Sequence, residues 1–352
     1  MNFPEDSGIP DWVVYPGENW KTATPQEAGF DMGKWNEWLS KQNPRGAAVA
    51  GESHPGNQWG AVVMRGGYII KTWGDPDYRY NSASVGKCFT RLCLQIAIDR
   101  ELISSADDLV KDYWTGEGQL NHPDKYLDRG HHNYLTFKHL LTMKGGFPVS
   151  NGFYWRSGNH PEWADPHDSD PDRSNYSQRE PGAGSHYSSG GFWRCTQALT
   201  KIFDRELKDV LDETLFSHIG IPADRWDWLS GRHVRETIDF YPEWPGYGGF
   251  IDPPYEINGN RVQGGGGWIV MSPHDLARVG LLLATGGVWK GQRLISDAEF
   301  VNTGQGGYIR GWNGGNSSTL SAWPDDKMLV VTAVTTQGLD WRNIPSVIPK
   351  EE

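Results

Sequence analysis

Residues 81–88 read "NSASVGKC", with Ser84 three before Lys87 at the point where strand-like sequence gives way to a long apolar run. At the start of a helix this spacing puts both side chains on one side. A lysine there takes a serine proton if it is neutral, and burial favours the neutral form. The free N–H groups of a helix N-terminus add donors beside Ser84, whose own N–H suits a tetrahedral oxyanion. A plainer reading remains open at this point: Ser84 caps a helix and Lys87 is solvated. Two features bear on the choice. This is the only S-x-x-K in the chain, and Gly86 carries a propensity cost in the first turn that close packing could offset.

Those residues need elements to position them. "TPQEAGFDMGKWNEWLSKQ" places Asp31 before Trp35, Trp38 and Leu39 at helical spacing, and predicts a short amphipathic helix. "WGAVVMRGG" and "YIIKTWG" read as two strands joined at Arg65-Gly66-Gly67. From Ser84, Val85, Phe89, Leu92, Leu94, Ile96 and Ile98 make a helix apolar on most faces, which belongs inside the protein. "SSADDLVKDYW" has a capping-box-like start at Ser105 and Asp108, and "LTFKHLLTMKGG" reads as a helix stopped by Gly145-Gly146. "SPHDLARVGLLLATGG" is a helix starting at Ser272 or Pro273, while "SSTLSAW" and "KMLVVTAVTT" are strands around a turn at Pro324-Asp325-Asp326. Strands at both ends and helices between them predict one sheet assembled from both termini with a helical lobe inserted.

Bulk properties narrow the function classes. The chain has 352 residues, 33 basic against 44 acidic, and a formal charge of -11, with no basic block to grip nucleic acid. No stretch approaches the ~20 apolar residues of a membrane span, and the N-terminus lacks the pattern of a signal peptide, so a soluble molecule is expected with its compartment open. The 3 cysteines form no disulfide framework and read as buried thiols. The 18 tryptophans and 44 glycines fit either a Trp-rich core with tight turns or an aromatic-lined pocket. The insertion "GNHPEWADPHDSDPDRSNYSQREPGAG" carries His160, Asp165, His167, Asp168, Asp170 and Asp172 without EF-hand spacing. No zinc spacing, G-x-S-x-G elbow or dinucleotide motif occurs, and no cofactor or metal is expected; His186, beside Tyr187, reads as structural.

"YNSASVGKCFT" resembles the first motif of the penicillin-recognising serine hydrolases, namely serine β-lactamases, D,D-peptidases and esterases built on their fold. "LISSADDLVKDYW", "LTFKHLLTMKGGFP" and "GGGGWIVMSPHDLARVGLLLATGG" follow in that family's order, the last resembling the branch with the class C β-lactamases. Met143-Lys144-Gly145-Gly146 stands where His-Thr-Ser-Gly is more usual. The resemblance covers roughly residues 22 to 335 and implies an α/β β-lactamase/transpeptidase-like fold: an antiparallel sheet flanked by helices, with a mostly helical lobe. Residues 1–103 and 262–352 would form the α/β lobe and 104–261 the helical lobe, together one catalytic domain.

The resemblance also implies site residues. In "EPGAGSHYSSGGFW", Tyr187 takes the place of the family's proton-relaying tyrosine, and Ser189 stands where asparagine is common, as a candidate contact to a substrate carbonyl. "GWNGGNSST" matches the third motif, with Trp312 where a carboxylate-binding cation is usual, Gly314 for close approach and the Gly315 N–H as second oxyanion donor. Trp-x-Gly there resembles the family VIII carboxylesterases. The expected function is a serine hydrolase that cleaves small carboxylic esters through an acyl-enzyme on Ser84, with Lys87 and Tyr187 moving protons. An amidase of the D-aminopeptidase or β-lactamase type, and a catalytically silent ligand-binding homologue, are the alternatives. Oligomeric state stays open.

Overall fold

The hairpin of the central sheet follows from two β-rich runs joined by two glycines, the first run buried at every position. The computed structural model describes residues 8–47, 58–120, 123–147, 179–185, 187–233, 253–304, 311–324 and 327–349. Within them, the main sheet contains β1 (Lys21–Thr22), β2 (Gly60–Arg65) and β3 (Tyr68–Gly74) from the first part of the chain. A separate small sheet holds β4 (Tyr80–Asn81), β5 (Asp227–Trp228) and β6 (Ile269–Met271). The main sheet is completed by β7 (Trp312–Asn313), β8 (Thr319–Trp323) and β9 (Leu329–Val334), in the order β1-β3-β2-β9-β8-β7. Its long pairs are antiparallel, with Val62 opposite Thr332 and Leu320 opposite Thr332 on the other side. The expected all-antiparallel sheet needs one correction, because the two-residue β1 runs parallel to β3 and makes the sheet mixed.

The two-residue period of the strands sorts their side chains between two cores. Val62, Met64 and Val330 enter the main core, whereas Val63, Leu329 and Val331 face the second. That second core is closed by α1 (Met32–Ser40), capped by the Asp31 side chain as its sequence predicts, through Trp35 and Trp38. On the main-core face lies α5 (Pro273–Ala284), capped by Ser272. Two further helices, α2 (Lys87–Asp99) and α4 (Ser189–Phe203), pack against each other, the former buried along nearly its whole length. The described elements between residues 104 and 261 are mainly helices and loops, among them α3 (Phe137–Leu141). A short α6 (Ala298–Asn302) precedes β7.

Two local expectations fail for identifiable reasons. Ser105 and Asp108 do bond, Oγ to Oδ1 at 2.9 Å, but they close a turn, and only a 3-10 turn at Val110–Asp112 follows. Asp108 is held by Tyr113, Ser104 and Ser105, so its carboxylate is committed to the turn. Helix α3 ends at Leu141, short of Gly145-Gly146, because Met143 adopts φ 59°. The left-handed turn comes two residues early, on a methionine.

Among the described residues, Trp114, Trp193, Trp226, Trp228, Trp289 and Trp312 are buried in the main cluster, whereas Trp12 is exposed. Cys88, Cys93 and Cys195 are buried free thiols. Among the described residues no helix is long and apolar enough to cross a membrane, and no acidic, histidine or cysteine cluster could hold a metal ion. The acidic candidates from His160 to Asp172, and His186, lie outside the described residues.

Candidate active site

Ser84 sits in a 3-10 turn, Ala83–Gly86, that feeds directly into α2. The turn is built against its neighbours by backbone. Ala83 takes φ 49°, and its N–H donates to Asn81 Oδ1 at 2.8 Å. Ser82 donates through both N–H and Oγ to the Ile269 carbonyl, and the Trp268 N–H donates to Ala83 O. A left-handed alanine is strained, and these flanking bonds over-determine it.

The run Gly264–Gly267 explains itself by contact. A Cβ on Gly267 would lie 2.4 Å from Ala83 O, and one on Gly86 would lie 2.5 Å from the Gly267 carbonyl carbon. The carbonyls left bare by these glycines are used in turn. Gly264 and Gly267 accept from Trp228 Nε1, Gly265 from Thr90 Oγ1, and Gly266 from Lys87 Nζ through a short bond. Gly86 therefore sits in the first turn because two main chains meet there. Gly86→Ala is expected to cost about 1–3 kcal/mol by overpacking, read as a fall in the denaturant midpoint at unchanged m-value, with catalytic loss beyond the loss of folded protein.

Lys87 is 0% exposed and is the hub of the site. Its Nζ lies 2.9 Å from Ser84 Oγ, 3.0 Å from Tyr187 Oη and 3.1 Å from Ser189 Oγ, in addition to the Gly266 carbonyl. Four oxygens compete for at most three N–H, so the network is over-supplied with acceptors. Ser84 Oγ is also 2.6 Å from Tyr187 Oη. Burial pushes the Lys87 pKa below its ordinary value, opposed by the charge and hydrogen bond of Tyr187. For Tyr187 burial acts upward, but Lys87, Ser84 and Ser189 outweigh it and lower the phenol's pKa. Lys87 makes the Tyr187 proton easier to lose, while Tyr187 favours a proton on Lys87, so the two share a proton between them. A serine hydroxyl in contact with two such groups can be deprotonated as it attacks, and the leaving group can be protonated by the same pair.

Two backbone N–H groups in these segments have no partner: among the described residues no hydrogen-bond acceptor is found for the N–H of Ser84 or of Gly315. Gly314 approaches the turn so closely that a Cβ there would meet Ser82 O at 2.4 Å, while the same test at Gly315 meets open space.

Two expected substrate contacts come out differently. Ser189, first residue of α4, is buried with its hydroxyl on Lys87, so it belongs to the proton network and its use on a substrate carbonyl is not what the geometry displays. Trp312 occupies edge strand β7, but its indole is 0% exposed. It donates to the Val301 carbonyl at 3.0 Å and stacks under the Arg91 guanidinium at 5.0 Å. Trp312 thus fills the core behind the strand and is no wall of the site. Sequence reasoning missed the Gly266 carbonyl and Asn316, whose Nδ2 donates to Asn81 O at 2.6 Å. The glycine run was a signal for the first; a single asparagine in a glycine-rich loop gave none for the second.

A model described as Beta-lactamase matches residues 48–340. The chain belongs to the beta-lactamase family. Members are serine hydrolases on one fold, and structural likeness places this beta-lactamase-family protein on it. A putative 6-aminohexanoate-dimer hydrolase from Bacillus anthracis superposes with TM-score 0.53 at 12% identity, over 92% of this chain and 82% of that one. A putative beta-lactamase from Bacteroides dorei gives TM-score 0.53 at 12% identity, covering 90% of each chain. A family VIII carboxylesterase gives 0.50 at 14%, covering 78% of this chain and 85% of that one. No curated protein matches the sequence.

Proposed function

We propose that this beta-lactamase-family protein is a carboxylesterase. Ser84 Oγ attacks the ester carbonyl as its proton passes to the Lys87–Tyr187 pair, and the N–H groups of Ser84 and Gly315 receive the oxyanion. The pair returns the proton to the departing alkoxide, water then attacks the acyl-enzyme by the same route, and the free acid leaves. The chain's own side chains suffice for each step. In this reading residues 1–103 with 262–352 form the α/β lobe, 104–261 form the helical lobe, and substrate enters between them.

The choice of ester over peptide-like amide or β-lactam rests on one observation. Edge strand β7 offers no side-chain cation toward the site, since Trp312 is turned into the core and Asn313 Oδ1 accepts from Thr319 Oγ1. A substrate carboxylate therefore finds no charged partner on that strand, whereas an uncharged ester needs none. The test compares kcat/KM for p-nitrophenyl acyl esters, a D-amino acid p-nitroanilide and a chromogenic cephalosporin. Ester turnover at least about 100-fold faster than either amide is expected, equivalent to ~2.7 kcal/mol of transition-state preference. Faster turnover of the cephalosporin or the anilide would overturn the assignment.

A further inference from the structure

We propose that Asn316 is a positioning residue for the oxyanion site, acting by clasping the loop after β7 to the turn that carries Ser84. This rests on the reading of Ser84 and Gly315 as the two oxyanion donors. Those donors belong to segments more than 200 residues apart in sequence, and an oxyanion site works only if their spacing is fixed before the reaction.

The loop itself is a tight turn. Gly314 N–H donates to Ser318 O at 2.9 Å, Ser317 N–H donates to Gly314 O at 3.0 Å, and Ser317 holds φ 61°. Gly315 stands at its tip, its N–H without an acceptor and its Cα facing open space. Among the described residues the strand pair behind the tip is short, Trp312 opposite Leu320 and Asn313 opposite Thr319. Such a ladder leaves the tip free to pivot unless something ties it down.

Asn316 supplies that tie. It is buried, its Nδ2 donates to Asn81 O at 2.6 Å, and its Oδ1 accepts from Ser318 N–H at 3.3 Å. Among the described residues no other hydrogen bond joins 314–318 to 81–86. On the far side of the bond Asn81 is itself a cap, its Oδ1 holding the Ala83 N–H and hence the left-handed residue before Ser84. One amide therefore links both donor segments, and Gly314 permits the approach by presenting no Cβ to Ser82 O. The side chain must donate from one atom and accept on another, which an amide does; a carboxylate only accepts, and a serine hydroxyl has a single, closer atom for both.

Asn316→Asp keeps shape and acceptor while removing the donor, and Asn316→Ala removes both, so the pair isolates the bond to Asn81. Wild type and variants are compared for hydrolysis of a p-nitrophenyl ester, inhibition by phenylboronic acid, and hydrogen exchange of peptides covering 82–86 and 314–317. The expected result for Asn316→Asp is a fall in kcat of about 10- to 100-fold with KM changed less than about threefold. Boronate, which places a hydroxyl where the oxyanion forms, should weaken by a similar factor, and both peptides should exchange faster. A lower melting temperature with kcat, boronate affinity and exchange unchanged would make Asn316 merely structural and overturn the proposal. If Asn316→Ala fails to fold, Asn316→Asp and Asn316→Ser still decide. Should the wild type hydrolyse no ester, the esterase reading falls, while exchange continues to report the clasp; unchanged exchange would remove it.

Discussion

Ser84→Ala is expected to lower ester hydrolysis by about 10⁴-fold or more while leaving a folded protein, because Ser84 Oγ is the partly exposed hydroxyl on Lys87, whereas that of Ser189 is buried. The fold should survive since Ser84 contributes a half-buried hydroxyl and Lys87 keeps Tyr187, Ser189 and the Gly266 carbonyl as partners. Incubation with a fluorophosphonate followed by peptide mass spectrometry checks the chemistry directly. Wild type should carry one adduct, on the peptide containing Ser84, and the variant none. Undiminished turnover by Ser84→Ala, or labelling of a different serine in native protein, would end the assignment.

The second large effect concerns pH and Lys87. A charged lysine beside a phenolate and a neutral lysine beside a phenol are the same protonation state with one proton moved along a 3.0 Å bond. The rate therefore reports the pair and not either residue. Adding a proton to the pair gives a cation and a neutral phenol, which disables both bases. Removing one leaves a phenolate and an amine with no proton to return. Activity must rise with pH through the first step and fall through the second. Both groups are held below their ordinary values, 10.5 for lysine and 10.0 for tyrosine, so the rising limb of kcat/KM should lie below that range. Lys87→Met should lower kcat/KM by about 10²- to 10⁴-fold. It should also move the remaining acid limb to higher pH, because burial then raises the Tyr187 pKa without the lysine to oppose it. A residual profile with its acid limb unmoved would show that Tyr187 does not titrate with Lys87.

What the sequence disclosed, and what it withheld, divides along a physical line. Elements set by local period and caps were legible: Asp31 and Ser272 announced their helices, and Gly66-Gly67 its hairpin. The meeting of Ser84 with Lys87 was legible as well, because three residues on a helix fix a direction. Tyr187 came from resemblance, its contact with Ser84 spanning 103 positions that no local rule bridges. Trp312 was read as a strand residue, yet which way its indole points depends on Arg91, remote in sequence, and on the Val301 carbonyl 11 residues earlier. Ser189 was read by analogy with an asparagine, and its shorter side chain reaches Lys87 in place of the cleft. The carbonyl of Gly266 could not be read at all, since backbone acceptors leave no trace in residue identity.

The sheet has a consequence for synthesis. Its central ladder pairs Gly60–Arg65 with Leu329–Val334, so the first of these strands waits for more than 260 further residues before its neighbour exists. Contacts so distant along the chain are slow to form and leave edges exposed meanwhile. Gly315, too, follows Ser84 from the ribosome by 231 residues. A nascent chain thus carries the serine and the lysine long before it has Gly315 or the strand that precedes it.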